Sequence, residues 1–402
     1  MAAAELARRL LAPPPPPVAP RPVAPDAYFS ADEIERGARF ARPQLALGLA
    51  REAVGGAVLC GTVLLTRGRG LPRWVGRFGP TAGGAMAAAG LTASVTIAGL
   101  PLGVLARRRS RAVGLVTQSW RGWAADLVKS SAIEAALSAG AGAATVAVTR
   151  RYPRHWWLPA AAGAVGVGAL ASALAPVLLD PLFNRFEPLP DGEARRDVLE
   201  LAAAAGTRVG EVYRVDASRR TTGANAYVTG LGPTKRVVLF DNLLSAYDRD
   251  EVRVVVAHEL SHVRGRDVLR GAAFSAMVAP AAALAVQRLS WWLSPHRGTP
   301  ETLPALALAT AIVFAPVSLV ATRLSRAIER RADHFSLELS GEPEAFVSFE
   351  RRITVQNVAD VDPPRWVSRL LATHPPTLER IGAALAFAGG GGEVARQGAS
   401  AY

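Results

Sequence analysis

His258-Glu259-Leu260-Ser261-His262 is the segment of this 402-residue chain best suited to chemistry. On a helix, a spacing of four puts both imidazoles on one face about one turn apart, where they can grip a single Zn²⁺. Glu259 sits one position past His258, within reach of a water at that metal. It would act as general base while the oxygen attacks a carbonyl, then hand the proton to the leaving amine. Catalytic zinc normally takes three protein ligands and leaves a fourth position open. The single cysteine, Cys60, lies in an apolar stretch and rules out a multi-cysteine site or a disulfide framework within the chain. The third ligand must therefore be His, Asp or Glu. Glu329, in Arg326-Ala-Ile-Glu329-Arg-Arg-Ala-Asp333, is the best candidate. Glu329 and Asp333 are four apart and share a helical face, so one can bind metal while the other orients a ligand histidine. His155 and His296 fall in short loops beside Trp or Arg, and His334 points off the metal face. By itself His374 is a loop histidine, its backbone fixed by Pro375 and Pro376.

The elements that must position these residues are partly membrane-spanning. Apolar residues make up 50% of the chain and charged ones 20%, a balance that leans away from a soluble enzyme. Six stretches approach the roughly 20 apolar residues of a span: 45–65, 81–105, 131–148, 157–179, 268–293 and 303–324. Arg51 and Glu52 interrupt the first. Trp74, Trp120, Trp123, Trp156, Trp157, Trp291 and Trp292 sit at or just beyond span ends, as an aromatic belt requires. The net charge of +13 comes mostly from short arginine clusters between apolar stretches, which argues for membrane anchoring and against nucleic acid. An even number of spans puts both termini on one side, with 180–267 and 323–402. The Arg107–Arg111 run would join them in the cytoplasm, but the opposite loops carry Arg67, Arg69, Arg73, Arg77, Arg150, Arg151 and Arg154, so charge bias alone does not decide and cytoplasmic termini are the side chosen. The GC-rich residue usage points to a bacterial plasma membrane.

The fold class expected is mainly α: about six transmembrane helices with a zincin-like α+β catalytic domain, built from the loop before span five and the region after span six. Its parts are a disordered proline-rich arm (1–40), a four-span region (41–180) and an α+β part with the HExxH helix (181–267). A two-span region (268–324), a carboxy-terminal part of the catalytic domain (325–386) and a disordered tail (387–402) follow. Within 181–267 the pattern predicts a helix over 192–205 stopped by Gly206, and strands at 211–215, 226–229 and 236–240. Gly230, Gly232 and Pro233 supply a turn, and Asp248 or Asp250 caps a helix running through Arg264.

Four separated segments resemble the integral-membrane zinc peptidases of the CaaX prenyl protease 1 family, related to HtpX-type membrane proteases. They are Asp180–Pro190, Asn225-Ala226-Tyr227, the two zinc helices at His258–His262 and Arg326–Asp333, and His374-Pro375-Pro376 with Arg380. The resemblance implies one Zn²⁺ held by His258, His262 and Glu329, with Glu259 as base and Asp333 as the partner of a ligand histidine. It also implies that Asn225 and His374 contact the scissile peptide, with Arg380 behind the site. Asn225, Ala226 and Tyr227 would belong to an edge strand to which an extended peptide adds by main-chain hydrogen bonds. The expected partners are a peptide or membrane-protein substrate and the lipid bilayer. The sequence departs from the eukaryotic members in having six spans rather than seven, which puts their large intramembrane chamber in doubt. CaaX prenylation is a eukaryotic modification, so a bacterial member is expected to cleave something else. A broader quality-control protease is the alternative within this class. A transporter or scaffold with structural zinc would need a fourth protein ligand. Gly163, Gly166 and Gly168 fall inside a span and read as close helix packing rather than a dinucleotide site.

Overall fold

Among the described residues, six helices of the computed structural model are long and apolar enough to cross a membrane. The structure describes every residue except 71–74, 76, 230–234 and 392–402. Trp74, the expected turn at 230–233 and most of the expected disordered tail therefore lie outside the described residues. In chain order the elements are α1 (Ala2–Leu11), α2 (Ala31–Arg69), α3 (Gly79–Ala112), α4 (Trp120–Arg151), α5 (Trp157–Leu178), β1 (Phe186–Pro188), α6 (Glu193–Ala204), β2 (Glu211–Val215), β3 (Ala226–Thr229) and β4 (Arg236–Phe240). They continue with α7 (Asp241–Ala246), α8 (Arg249–Arg264), α9 (Asp267–Leu293), α10 (Leu303–Ser340), α11 (Pro343–Gln356), α12 (Arg365–Leu370) and α13 (Thr377–Ala386). The spans are α2, α3, α4, α5, α9 and α10, and the protein is an integral, multi-pass membrane protein.

Two spans are far longer than the bilayer needs. At 39 and 38 residues, α2 and α10 each extend nearly 60 Å, about twice the hydrocarbon thickness. The surplus is used on one side of the membrane. The last turns of α10 carry Glu329 and Asp333. The first turns of α2 lie against the loop after α11, where Gly37 approaches so closely that a Cβ would sit 2.1 Å from the Ala359 carbonyl oxygen. Arg42 donates to Asp360 there at 2.8 Å. Arg51, the charge within the first span, lays its side chain against Gly99 of α3.

The small sheet has strand order β1-β2-β4-β3, with β2 and β4 parallel and the outer pairs antiparallel. Its apolar face (Val212, Val237 and Leu239) packs with Val255, Val256 and Leu260 of α8 into the main soluble core. The loop between α3 and α4 joins this domain by a bridge from Val116 to Thr221, extended where the Thr117 N–H donates to the Arg220 carbonyl.

Three expectations need correction. The arm 1–40 is ordered. Ala4 and Ala7 of α1 are buried among Phe274, Val278 and Val320 of the last two spans. The Arg21 N–H donates to the Gly382 carbonyl at 3.0 Å, and Phe29 packs with Val361 and Ile381. Residues 15–20 then run across Leu337, Ala383 and Phe387. Prolines lack the donors to build regular structure, but a polyproline strand loses little entropy when an apolar surface receives it. At the other end, Phe387–Gly391 continues α13 as a π-helical turn where disorder was expected. Lastly, a Cβ at Gly163, Gly166 or Gly168 would meet nothing within 4 Å, so these glycines are not tight packing points.

Candidate metal centre

Helix α8 starts at Asp248, whose N–H donates to the Glu251 carboxylate at 2.9 Å in a capping box. Its apolar face is held by the sheet, which fixes the opposite face bearing His258, Glu259 and His262. Helix α10 lies along that face. The Ser336 hydroxyl donates to the Val254 carbonyl at 2.7 Å, locking the register of the two helices. In this register Glu329 Oε2 lies 3.2 Å from His258 Nε2, and Glu329 Oε1 lies 3.8 Å from His262 Nε2. The two Nε2 atoms are 3.3 Å apart. His258, Glu259 and His262 form a group whose donor atoms all lie within 4.8 Å and could hold a metal ion.

Each imidazole is fixed from behind. His258 Nδ1 is 3.0 Å from Asp333 Oδ1, and Asp333 in turn accepts from Arg380 Nε and Nη2 at 2.9 and 2.5 Å. Arg380 also reaches Glu350 Oε1 at 2.5 Å. His262 Nδ1 is 3.0 Å from Asp267 Oδ2. Asp267 gets there because Arg266 adopts a left-handed conformation (φ 52°), turning the chain so that the start of α9 faces back onto α8. Arg331 of α10 then grips both Asp267 oxygens, at 2.5 and 3.2 Å.

The electrostatics favour positive charge between these groups. Burial disfavours a charged His258, but the Asp333 and Glu329 carboxylates push it up to about 10. Burial alone would raise Asp333, yet the Arg380 guanidinium and His258 drive it well below the usual carboxylate range. Burial raises the Glu259 carboxyl, which the nearby histidines only partly offset, so it is a better proton acceptor than an exposed glutamate.

A cavity of about 440 Å³ opens beside Glu259, with Asn225 and Ala226 on one side and Phe349 and Glu350 on the other. His374 is exposed at its rim, its Nε2 3.4 Å from Glu329 Oε2. β3 is an outer strand of the sheet; among the described residues no strand pairs with its other edge, and Asn225 and Ala226 at its start line this cavity. Tyr227 turns away from the cavity to pack edge-on against Phe240. The adjacent turn stores strain: Val358, a β-branched residue, has φ 49° between the cavity-lining Asn357 and Ala359.

The structure thus brings together His258, Glu259, His262, Glu329, Asp333, His374 and Arg380, with Asn225 and Ala226 at the cavity wall. His334 points elsewhere, to Glu338 at 3.2 Å, and His296 lies 3.4 Å from the Thr66 carbonyl at the far ends of the spans. Sequence reasoning did not single out Asp267, Arg331 or Glu350. An acid five residues after the second histidine was the available signal for Asp267. No local pattern marks Glu350, whose partner Arg380 is 30 residues away.

The chain also matches known proteins in sequence and fold. The profile of peptidase family M48 matches residues 188–388, and that of the CAAX prenyl protease N-terminal region, described as five membrane helices, matches 18–185. Four candidate spans lie in the latter segment among the described residues. An uncharacterized metalloprotease of Bacillus subtilis, YhfN, is 31% identical over 300 residues, covering 72% of this chain and 70% of that protein. CAAX prenyl protease 1 of Saccharomyces cerevisiae is 32% identical over 156 residues, or 38% of this chain and 34% of the yeast protein. The crystal structure of S. mikatae Ste24p superposes with a TM-score of 0.77, covering 95% of both chains at 19% identity.

Proposed function

The chain belongs to peptidase family M48 and is a membrane-embedded metalloendopeptidase, and on that premise we propose that its metal is zinc, held by His258, His262 and Glu329. The observation that carries the zinc reading is the spacing of the donor atoms. Ligands about 2.0–2.1 Å from a tetrahedral zinc lie roughly 3.3–3.4 Å from one another. The two Nε2 atoms are 3.3 Å apart, and the Glu329 carboxylate faces both, with Oε2 3.2 Å from His258 Nε2 and Oε1 3.8 Å from His262 Nε2. Glu329 Oε2 is buried and faces histidine nitrogens, His258 Nε2 at 3.2 Å and His374 Nε2 at 3.4 Å, an arrangement that a shared cation would satisfy.

Bound there, zinc supplies a Lewis acid that polarises the scissile carbonyl and eases ionisation of water. The chain's own residues supply the rest. Glu259 takes the proton from the attacking water and returns it to the amine as the peptide bond breaks. His374, at the rim, donates a hydrogen bond to the oxygen that gains charge in the transition state. Asp333 and Asp267 hold the two imidazoles with Nε2 facing the metal, and Arg380 and Arg331 fix those carboxylates. The free edge of β3, from Asn225 through Tyr227, holds the substrate backbone extended past Glu259. The amino-terminal segment, the α3–α4 loop and the peptidase domain occupy one side, which we assign to the cytoplasm. For the substrate we favour membrane-associated peptides or proteins other than prenylated CaaX chains, since CaaX prenylation is a eukaryotic modification and the residue usage of this chain points to a bacterium.

The test uses purified full-length protein and Glu259→Gln with a peptide library. Removing the base should lower kcat by about 10²–10⁴-fold with metal still bound. Equal cleavage by both proteins would overturn the assignment.

A further inference from the structure

We propose that a basic pocket, where α4 and the end of α5 meet the peptidase domain, binds the phosphate headgroup of an anionic phospholipid. The pocket holds about 440 Å³ and shares no lining residue with the cavity at the metal centre. Four cationic side chains, Lys129, Arg185, Arg219 and Arg220, line it against one carboxylate, Asp126. Asp126 is already engaged, accepting from Arg220 and Gln118 and lying 3.7 Å from Lys129. Arg219 pairs with Asp216 at 3.2 Å and donates to the Phe183 carbonyl. Asp216 also accepts the backbone N–H of Arg185, so both nearby acids are committed. The Arg185 guanidinium has no hydrogen bond or ion pair among the described residues, and Lys129 gives one bond of 3.3 Å to the Leu182 carbonyl. Cationic capacity is therefore left over, and a phosphate would use it.

The setting selects a lipid over a soluble phosphate. Trp120 and Trp123 stand on the first turn of α4 at the same level, as at a membrane interface. Successive spans α4 and α5 diverge here, α4 packing on α3 and α5 on α9. Their divergence leaves Val128, Leu178 and Leu182 exposed beside the pocket. A headgroup seated on Arg185 and Lys129 would have its acyl chains against these side chains, in continuity with the lipid already around the spans. Basic pockets between transmembrane helices are a known way of holding anionic headgroups.

The test reconstitutes the full chain in phosphatidylcholine vesicles with or without a minority of phosphatidylglycerol, and compares it with Lys129→Gln/Arg185→Gln. Thermal stability and the lipid retained on mild detergent extraction are both read. The wild type should be selectively stabilised by phosphatidylglycerol and retain it. The double variant should lose that preference by about tenfold or more, while melting as wild type does in phosphatidylcholine alone. Should the double variant fold poorly, Arg185→Gln alone decides on the same readouts, since its side chain makes no contact that the fold needs. Undiminished phosphatidylglycerol retention in the variants, or no preference in the wild type, would overturn the proposal. So would equal stabilisation by inorganic phosphate in phosphatidylcholine vesicles, which would make this a free-anion site.

Discussion

Spans four and six are similarly apolar, yet within its most apolar 18 residues the first buries none and the second 44%. Span four (α5) presents Val167, Leu170 and Leu174 outward, away from the helix bundle. Span six (α10) instead buries Leu306, Val317, Val320 and Leu324 against other helices, then continues without a break to Glu329 and Asp333. One apolar helix is a wall and the other is a lever arm. Hydropathy reports what a segment can be dissolved in, and not which of its faces is a template for a site.

If that distinction is right, substitutions along α10 and around its end should matter in proportion to the order they enforce. The largest structural effect is expected for Asp333→Ala, which leaves Arg380 and His258 without their shared partner. Stripping one member from a buried charge network costs about 3–5 kcal/mol, and losing the group that orients a ligand histidine weakens metal binding about 10–100-fold. Denaturation and metal competition would measure both, and an effect under about 1 kcal/mol would remove the reason for calling α10 the organising element. Next comes Ala332→Leu. Ala332 is fully buried between α10 and its neighbours, so an added isobutyl group should cost about 1–3 kcal/mol by overpacking.

A smaller, pH-dependent effect is expected at Glu350. Burial pushes its carboxyl up to about 7 from 4.5, despite the Arg380 guanidinium beside it. A carboxyl raised in the folded state binds its proton more tightly there than in the unfolded chain. Its contribution to stability is full below about 4.5 and is lost as pH rises through about 7. Glu350→Gln should remove that slope between pH 4.5 and 7 in melting temperature, and an unchanged slope would contradict the assignment. The smallest effect belongs to span four. Leu170, 58% exposed, should tolerate Ala within about 0.5 kcal/mol in a bilayer. A loss as large as that of Ala332→Leu would erase the contrast.

Much of the site was legible because its chemistry is encoded at short range. The i, i+4 spacing of His258 and His262, and of Glu329 and Asp333, follows from helix geometry alone, and apolar length marks the six spans. What was not legible depends on contacts between distant segments. The amino-terminal arm reads as disordered because Pro13–Pro17 cannot make ladder bonds. Its order comes from Gly382, where a Cβ would sit 2.1 Å from the Arg21 carbonyl oxygen, more than 350 residues on. Asp267 reads as a boundary residue until the left-handed turn at Arg266 aims it at His262. Glu350 reads as an acid on an amphipathic helix until α13 delivers Arg380 against it.

The claim that α10 completes the metal centre is tested most directly by metal content. Wild type, Glu259→Gln and Glu329→Ala would be purified under one protocol and their zinc measured after dialysis against a mild chelator. Wild type and Glu259→Gln should keep about one zinc per chain, while Glu329→Ala, stripped of its third ligand, should lose it. Zinc retained by Glu329→Ala at the wild-type level would contradict the account.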